Sequence, residues 1–352
     1  MPPLSMLIKP VSGHCDLRCR YCFYQEKNSG IMTTTTLETI VKKTLAFADG
    51  SCTFLFQGGE PTLAGLPFFE QLVAYQNQHN TKRVVISNAM QTNGMHIDAR
   101  WASFLAEHDF LVGLSLDGPQ ALHDKNRDGS FHRVMQTVQL FQQARVQFNI
   151  LCVVSRANAA QGKQIYRFFK ENRLHHLQFI PCLDPLHARR ASQPWSLTPQ
   201  GYLQFMKTIF DLWAHDMHTG NAPNIRYFDN LLRMVTGHEP EACGMSGVCG
   251  CQFVTEADGS VYPCDFYVDD EWKIGNILEH DFAQMRFSPT CTRFIAQSLQ
   301  RHAQCASCRW FALCRGGCKR DRDTLGKNVY CESHQAFFAH ALPQLQGLSR
   351  RR

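Results

Sequence analysis

Three cysteines stand close together near the start of the chain, in the stretch GHCDLRCRYCFY. Cys15, Cys19 and Cys22 follow one another as C-x3-C-x2-C, a spacing that can bring three thiols to one metal centre. Thiolates bind iron–sulfur clusters or zinc, and both kinds of site normally take four protein ligands. The motif therefore predicts an iron–sulfur cube with one iron open to a substrate or cofactor. The alternatives are a zinc site that borrows a distant ligand and three thiols that bind no metal.

A second pattern of cysteines occupies the last third of the chain. Its members are Cys243, Cys249, Cys264, Cys305, Cys308, Cys314, Cys318 and Cys331. Eight thiolates are the number that two cubes with four protein ligands each require, although two zinc sites with four cysteines each would need as many. Four cysteines fit neither pattern and are predicted to be buried apolar thiols, namely Cys52, Cys152, Cys182 and Cys291. Cys251 lies inside the second pattern and is treated as a spare thiol.

The composition is that of an ordinary globular protein. The 352 residues are 44% hydrophobic and 19% charged, with sixteen cysteines and a net charge of +6. No apolar run could span a bilayer and no signal peptide is apparent, so a cytoplasmic location without membrane contact is predicted. In a reduced cytosol, clustered cysteines more often bind metal than form disulfides. The C-terminal run SRRR is interpreted as a solvated tail, and no nucleic-acid partner is expected.

Short strands alternate with longer amphipathic segments through the first half of the chain. The predicted strands are MLIKPV (6–11), CTFLFQ (52–57), RVVISNA (83–89), FLVGLSL (110–116), FNILCVV (148–154) and LQFIP (177–181). The segment 34–48 predicts a helix, with N-cap candidates among Thr33 to Thr36. Six strand–helix pairs in alternation indicate a parallel sheet, either open or curled into a partial barrel. The loops at the carboxyl edge of such a sheet carry its chemistry, and the first cysteines stand there.

The character of the sequence changes near residue 235. From TGHEPEACGMSGVCGC onward the chain is rich in glycine and cysteine, and few segments show sustained periodicity. Such a region has little apolar surface to bury, so metal ligation is expected to hold it together. We therefore predict two domains, 1–235 and 236–352, with a final helix over 332–345.

The motif CDLRCRYCFY resembles the signature of radical S-adenosylmethionine (radical SAM) enzymes. The fold of this family is a partial (β/α)6 barrel, which agrees with the six strand–helix pairs. In the family, the amino and carboxylate groups of S-adenosylmethionine chelate the open iron, and electron transfer cleaves the cofactor to a 5′-deoxyadenosyl radical. The resemblance implies that Tyr21, Phe23 and Tyr24 lie near the adenine.

Loops after the next three strands also resemble cofactor-binding elements of the family. QGGEPTL (57–63) is similar to the GGEP element, whose backbone at Gly58, Gly59 and Glu60 contacts the amino group of the cofactor. QTNG (91–94) and SLDGP (115–119) match the family loops after strands three and four. The resemblance implies that Ser115 hydrogen-bonds the cofactor and that Asp117 shapes the pocket.

Two arginines are candidates for the cofactor carboxylate. The segment HDKNRDGSFHRV supplies Arg127 and Arg133, and the fork of a guanidinium suits a carboxylate. Arg127 is preferred and Arg133 is the second choice. Leu183, just after the sixth strand, is a backbone contact for the adenine by resemblance alone, or otherwise an ordinary loop leucine.

The C-terminal cysteines resemble the SPASM domain, which carries two auxiliary [4Fe–4S] clusters. The resemblance assigns Cys243, Cys249, Cys264 and Cys318 to auxiliary cluster I. It assigns Cys305, Cys308, Cys314 and Cys331 to auxiliary cluster II. The expected cofactors are therefore three [4Fe–4S] clusters and S-adenosylmethionine, in a radical SAM barrel followed by a small Cys-rich SPASM domain.

Within that family, the chain is most similar to the anaerobic sulfatase-maturating enzymes. These enzymes oxidise a cysteine or serine in a C/S-x-P-x-R segment of a sulfatase to Cα-formylglycine. Asp265, directly after Cys264, matches the aspartate that serves as their base. The resemblance implies hydrogen abstraction from the substrate Cβ, deprotonation by Asp265 and electron transfer to the auxiliary clusters. A flavodoxin or ferredoxin is the expected electron donor, and the enzyme is expected to be a monomer.

Two other functions agree with parts of the pattern. A SPASM enzyme that installs thioether or carbon–carbon crosslinks in a ribosomal peptide would use the same clusters. Against it, no extension that would bind a leader peptide is visible before the first strand. A zinc or electron-carrier protein without enzymatic activity would explain the cysteines but not the cofactor-binding loops. No residue decides between cysteine and serine as the substrate, and the sequence does not identify the target sulfatase.

Overall fold

Strands and helices alternate through the first half of the chain in the structure, a computed structural model that describes residues 4–24, 30–189 and 191–350. The strands are β1 (Leu4–Ile8), β2 (Ser51–Phe56), β3 (Val85–Thr92), β4 (Leu111–Ser115), β5 (Gln147–Val154), β6 (His176–Pro181), β7 (Asn224–Ile225), β8 (Val254–Thr255), β9 (Ser260–Tyr262) and β10 (Gly275–Asn276). The helices are α1 (Thr34–Phe47), α2 (Leu66–His79), α3 (Ala99–Glu107), α4 (Gln120–Asn126), α5 (Phe131–Ala144), α6 (Gly162–Glu171), α7 (Pro199–Thr219), α8 (Arg226–Val235), α9 (Cys243–Ser246), α10 (Phe282–Arg286), α11 (Pro289–Leu299), α12 (Phe311–Cys314) and α13 (Cys331–Ser349).

The six strands predicted from the sequence are present as β1 to β6, so the predicted alternation is confirmed. Thr33 is the N-cap of α1, where its hydroxyl oxygen accepts a hydrogen bond from the amide of Thr36. The predicted bounds of β1, 6–11, are wrong, because the strand ends at Ile8. Pro10 has no amide hydrogen to donate, so the ladder cannot continue through it.

The chain folds into two compact units. Unit one comprises the described residues of Met1–Ser115, Arg127–Phe148 and Gly250–Phe294. Unit two comprises those of Leu116–Asn126, Asn149–Cys249 and Ile295–Arg352. The domain boundary predicted near residue 235 coincides with the end of α8, and the division into two domains there stays a prediction.

Unit one is built on a mixed sheet with the strand order β10-β9-β8-β1-β2-β3-β4. The strands from β8 to β4 in this order run parallel, and β9 and β10 are antiparallel additions at one edge. Leu7 of β1 is in register with Val254 of β8. The segment that follows Cys243 and Cys249 therefore returns to pair with β1. This pairing brings residues 253–267 beside the loop that carries the first three cysteines.

Unit two contains the parallel strands β5, β6 and β7 and an aromatic core between α7, α8 and α13. Phe210 lies 5.3 Å from Phe228 and 5.6 Å from Phe337, measured between ring centroids. Each such ring contributes about 1.5 to 3 kcal/mol to stability when it is fully buried. α13 is longer than the predicted helix over 332–345 and continues through Pro343.

In the part of the chain that the structure describes, no helix has both the length and the apolar character that a membrane span requires. The predicted solvated tail SRRR ends in residues 351–352, which lie outside the described residues.

Candidate iron–sulfur and cofactor site

The loop after β1 carries the first three cysteines, and it is called the triad loop (Cys15–Cys22) below. Cys15 and Cys19 are half-buried and Cys22 is exposed. Burial raises the pKa of Cys15 to about 12, although the amide of Leu17 donates a hydrogen bond to its sulfur at 3.4 Å. A thiol in this environment becomes a thiolate only when a nearby positive charge compensates it, and iron supplies such a charge.

The glycines of the loop after β2 allow a close approach to the backbone that leads into the triad loop. The amide of Gly59 donates to the carbonyl of Ser12 at 2.6 Å, and the amide of Glu60 donates to the carbonyl of His14 at 2.8 Å. A Cβ atom on Gly59 would overlap the carbonyl of His14, so only glycine fits there. The two loops are therefore held together by their backbones. The predicted contact of Gly58, Gly59 and Glu60 with the cofactor stays a prediction.

The Glu60 carboxylate is buried and joins the loop after β2 to the end of β3. It accepts hydrogen bonds from the Thr62 amide at 3.0 Å, the Thr92 hydroxyl at 2.7 Å and the Asn93 amide at 2.7 Å. Burial raises the pKa of Glu60, while these hydrogen bonds act in the opposite direction. The side chain therefore organises the loops around the cysteines.

The loop after β3 also reaches the triad loop. The Asn93 side-chain amide donates to Asp16 at 2.8 Å and lies 3.8 Å from the Cys15 sulfur. His96 lies 3.1 Å from the other oxygen of Asp16. The QTNG segment therefore contacts the triad loop directly, as its position after the third strand suggested.

The two candidate arginines occupy different environments. Arg127 is buried, with its guanidinium carbon 5.3 Å from the centre of the Tyr21 ring and Nη1 3.9 Å from the Cys19 sulfur. Arg133 donates from Nε to the carbonyl of Met95 at 3.0 Å and from Nη2 to the carbonyl of Ile97. The geometry places Arg127 beside the triad loop and uses Arg133 to hold the loop before α3.

Three further predicted contacts are located as follows. Ser115 is buried at the end of β4 in unit one. In unit two, the Asp117 carboxylate accepts a hydrogen bond from the Val153 amide at 3.0 Å, and Leu183 is half-buried just after β6. Their roles toward the cofactor stay predictions.

Asp265 lies in a short 3-10 turn directly after Cys264, and it belongs to a buried charged cluster that sequence reasoning missed. Its Oδ1 is 2.5 Å from the Lys9 ammonium, which also lies 3.3 Å from the centre of the Tyr24 ring. The Tyr24 hydroxyl donates to the carboxylate of Glu256. Burial, and then the Glu256 charge, raise the pKa of Tyr24. We call these four residues the Lys9 cluster (Lys9, Tyr24, Glu256 and Asp265).

A signal for the Lys9 cluster was present in the sequence. Lys9 interrupts an apolar strand pattern, and a lysine at a buried strand position needs a compensating charge. The partner itself could not be identified, because Asp265 and Glu256 are distant in sequence. The ring of Tyr24, predicted to lie near the adenine, packs with Leu7, Val254 and Tyr262 in the core of unit one. Its proposed cofactor contact stays a prediction.

Four cysteines of unit two line one cavity, called the four-cysteine pocket (Cys305, Cys308, Cys314 and Cys331) below. Trp310, Phe311, His334 and Phe338 cover it. The side-chain amides of Gln304 and Gln335 donate to the Cys331 sulfur at 3.1 and 3.4 Å. Burial lowers the pKa of His334 to about 4, so its ring is neutral at physiological pH. The pocket therefore offers four sulfur ligands between uncharged lining residues, and the charges of Arg301 and Arg322 act on Cys305 from outside that lining.

The remaining cysteines of the second pattern divide between the units. In unit two, Cys318 interacts electrostatically with Cys243 and Cys249, and burial raises its pKa to about 12. Cys264 belongs to unit one, and its role as a ligand stays a prediction. Cys251, set aside as a spare, forms a thiol–thiol hydrogen bond with Cys291. The predicted burial of Cys52, Cys152, Cys182 and Cys291 is confirmed.

The donor sets fit iron–sulfur clusters. Both sites consist of thiols, which iron–sulfur clusters prefer, and N–H groups lie against the sulfurs of Cys15 and Cys331. Across residues 4–24, 30–189 and 191–350, no group of three His, Cys, Asp or Glu side chains is arranged to hold a single metal ion.

Comparison with known proteins adds independent findings. Residues 10–169 match the sequence profile of the Radical SAM superfamily, and residues 247–309 match that of SPASM, an iron–sulfur cluster-binding domain. A cysteine-type anaerobic sulfatase-maturating enzyme of Clostridium perfringens (strain 13 / Type A) is 48% identical, with 98% of each chain covered. A serine-type enzyme of Bacteroides thetaiotaomicron is 31% identical and covers 99% of this chain and 92% of its own.

A solved structure described as native anSMEcpe with bound AdoMet and Cp18Cys peptide superimposes with a TM-score of 0.96. It is 47% identical, with 99% of both chains covered. Streptococcus suis SuiB bound to S-adenosylmethionine superimposes with a TM-score of 0.67 at 18% identity over 94% of this chain and 77% of its own, and it shares the fold alone.

Proposed function

The chain belongs to the anaerobic sulfatase-maturating enzymes of the radical SAM superfamily, and we propose that it oxidises a cysteine of a sulfatase to Cα-formylglycine. The fold class predicted from the sequence, a radical SAM partial barrel followed by a SPASM iron–sulfur domain, is confirmed. Such an enzyme acts on a peptide substrate with iron–sulfur clusters and S-adenosylmethionine as cofactors. The observation that carries the proposal is the position of Asp265 in the buried Lys9 cluster beside the triad loop.

The residues that would hold the cofactors lie around the two cysteine sites. Cys15, Cys19 and Cys22 would bind the first cluster, with Arg127 beside them for the carboxylate of S-adenosylmethionine. The auxiliary clusters would bind to the two sets of four cysteines that the family resemblance assigns. When bound, these groups supply what the side chains lack, namely a 5′-deoxyadenosyl radical for hydrogen abstraction and iron centres that accept an electron.

Asp265 would act as the general base of the reaction. Loss of a hydrogen atom from Cβ, a proton from the thiol and one electron converts the Cβ–S single bond into a thioaldehyde. Water then replaces the sulfur, which leaves as hydrogen sulfide, and the aldehyde remains. A base must lie within hydrogen-bond reach of the proton that it removes, and a carboxylate meets the chemical requirement. The Asp265 side chain is 14% exposed, so it retains access for a substrate group.

The substrate would be a cysteine in a C-x-P-x-R segment of a sulfatase. Support for cysteine over serine comes from the higher identity to cysteine-type relatives, 48% against 31% for a serine-type relative. Flavodoxin or ferredoxin as the electron donor, a monomeric state and a cytoplasmic location complete the proposal. A peptide-crosslinking activity remains the alternative outcome of the test below.

The test is an anaerobic assay of the reconstituted enzyme with dithionite, S-adenosylmethionine and peptides that contain C-x-P-x-R or S-x-P-x-R. Mass spectrometry should detect an aldehyde, with faster formation from the cysteine peptide. Asp265→Asn should keep all three clusters, and its rate of aldehyde formation should fall about 10²- to 10⁴-fold, the usual contribution of a general base.

Asp270→Asn is the matched control, because Asp270 is exposed five positions further along and undergoes the same carboxylate-to-amide change. It should keep the activity of the unmodified enzyme. Cofactor cleavage without aldehyde would favour peptide crosslinking, and unchanged turnover in Asp265→Asn would remove Asp265 from the mechanism.

A further inference from the structure

Lys9 is a buried cation whose position is determined by three parts of unit one. The residue is 1% exposed and directly follows β1. Its amide donates to the carbonyl of Thr255 in β8 at 2.8 Å. A Cβ atom on Gly58 would lie 2.9 Å from the Cβ and Cγ of Lys9, so the loop after β2 confines the stem of the side chain. Because β8 holds the backbone of Lys9 and Gly58 closes in on the base of its stem, the side chain leaves the strand in a restricted direction.

The ammonium pairs directly with Asp265, and its charge also acts on the thiol of Cys22. Its carboxylate contact is Asp265 Oδ1 at 2.5 Å, and its other close contact is the Tyr24 ring at 3.3 Å. That ring is anchored at its far end, because its hydroxyl donates to Glu256. A cation above an aromatic face is attracted to it, so Tyr24 and Glu256 hold the ammonium against Asp265.

Asp265 itself has little other support. It begins the three-residue 3-10 turn that follows Cys264. Among the described residues, its second oxygen, Oδ2, accepts no hydrogen bond. One oxygen is therefore held by Lys9 while the other is available to a substrate.

We propose that Lys9 is the positioning residue for the base of the reaction: it holds Asp265 Oδ1 so that Oδ2 faces the proton to be removed. This inference rests on the proposed role of Asp265. Lys9 does not touch the substrate in this arrangement. Its effect is confined to the step in which the thiol proton is lost, after the hydrogen atom has been abstracted from Cβ.

The consequence is a specific defect in Lys9→Met. Formation of the 5′-deoxyadenosyl radical and hydrogen abstraction would continue, but the substrate radical would lose its proton slowly, and an electron from dithionite with a proton from solvent would return it to unreacted cysteine. The ratio of 5′-deoxyadenosine formed to aldehyde formed should therefore rise. We expect kcat for aldehyde formation to fall about 100-fold, as for a displacement of about 1 Å at a reacting group. KM for the peptide should change by less than about threefold, because no substrate contact is removed.

The experiment is a double-mutant cycle on the reconstituted holoenzyme with Lys9→Met, Asp265→Asn and the double variant. If Lys9 acts through Asp265, adding Lys9→Met to the Asp265→Asn variant should not lower kcat for aldehyde formation any further. Lys9→Arg, which keeps the charge with different geometry, should restore part of kcat. The matched control is Lys43→Met, because Lys43 donates to the carbonyls of Ile277 at 2.6 Å and His280 at 2.9 Å but lies outside the Lys9 cluster. Lys43→Met should leave the ratio of 5′-deoxyadenosine to aldehyde unchanged.

The positioning role would be overturned if Lys9→Met lowered kcat equally in the unmodified enzyme and in Asp265→Asn. An unchanged ratio of 5′-deoxyadenosine to aldehyde in Lys9→Met would overturn it as well. An active Asp265→Asn enzyme would instead remove Asp265 from the mechanism, and cofactor cleavage without aldehyde in the unmodified enzyme would contradict the proposed function, so these failures are distinguishable. If Lys9→Met does not fold, Lys9→Arg provides the test, since it must still raise the ratio of 5′-deoxyadenosine to aldehyde. An unchanged ratio in Lys9→Arg would then overturn the proposal.

Discussion

The triad loop and the four-cysteine pocket both gather thiols, but the side chains that directly surround these thiols differ in charge. The triad loop contains Asp16, and Asn93 and Arg127 approach it from separate loops. Among the described residues that line the four-cysteine pocket, none carries a charge at neutral pH, and aromatic rings form much of the wall. Three thiols with charged neighbours suit a cluster that also binds a small zwitterion. Four thiols covered by aromatic rings suit a cluster that accepts and releases electrons without binding a further ligand.

Removal of one thiol from each region should produce the largest contrast. Cys19→Ala should abolish cleavage of S-adenosylmethionine and lower the iron content by about four of about twelve atoms per chain. Cys308→Ala should lower the iron content equally but keep cleavage, because no group beside the triad loop is changed. Iron analysis and chromatography of 5′-deoxyadenosine after reduction with dithionite measure both quantities.

Cys52→Ala is the control for these variants, since Cys52 is a buried thiol of β2 outside both sets. It should keep both the iron and the cleavage activity. Loss of cleavage in Cys308→Ala, with the first cluster still visible by electron paramagnetic resonance, would break the distinction between the two regions.

The arginines test whether the charged neighbours of the triad loop bind the cofactor. Arg127→Lys should raise the Kd for S-adenosylmethionine about 10- to 100-fold, because hydrogen bonds to charged groups contribute about 1.5 to 3 kcal/mol and lysine cannot form the same fork. Arg133→Lys should change this Kd by less than about threefold, since Arg133 donates to backbone carbonyls. Equilibrium dialysis under anaerobic conditions gives both constants. The opposite order of effects would assign the carboxylate to Arg133.

The glutamine amides provide the finest test of the four-cysteine pocket. N–H groups that donate to a ligand sulfur stabilise the reduced, more negative cluster. Gln304→Leu removes one such donor to Cys331 and should lower the reduction potential by about 20 to 60 mV, from about 0.5 to 1.5 kcal/mol per hydrogen bond. A redox titration followed by electron paramagnetic resonance measures this shift.

Gln344→Leu is the control, because Gln344 is an exposed residue of the same helix that carries Cys331. The reduction potential of the cluster in Gln344→Leu should equal that in the unmodified protein. An unchanged potential in Gln304→Leu would show that this hydrogen bond does not tune the cluster.

The sequence predicted what is local and periodic. Cysteine spacing, the alternation of strands and helices and the N-cap at Thr33 depend on residues that are near one another in the chain. The end of β1 was wrong by three residues, although Pro10 was a visible reason for the strand to stop.

Contacts between distant segments could not be predicted in the same way. The pairing of β1 with β8 brings Glu256 and Asp265 to Lys9 and Tyr24, and no periodicity in either segment announces that register. The preference for Arg127 over Arg133 as the partner of the cofactor carboxylate stays a prediction, because both arginines stand in one short segment of the sequence. Their different hydrogen-bond partners depend on how the loops after β3 fold.

The backbone contact at Gly59 has a consequence for the life of the enzyme. Because Gly59 and Glu60 donate to the carbonyls of Ser12 and His14, the backbone that leads into the triad loop is held by peptide hydrogen bonds that do not involve sulfur. This backbone should therefore keep its conformation when an iron–sulfur cluster damaged by oxygen is lost. Repair of the site should require a new supply of iron and sulfide but no refolding of the chain.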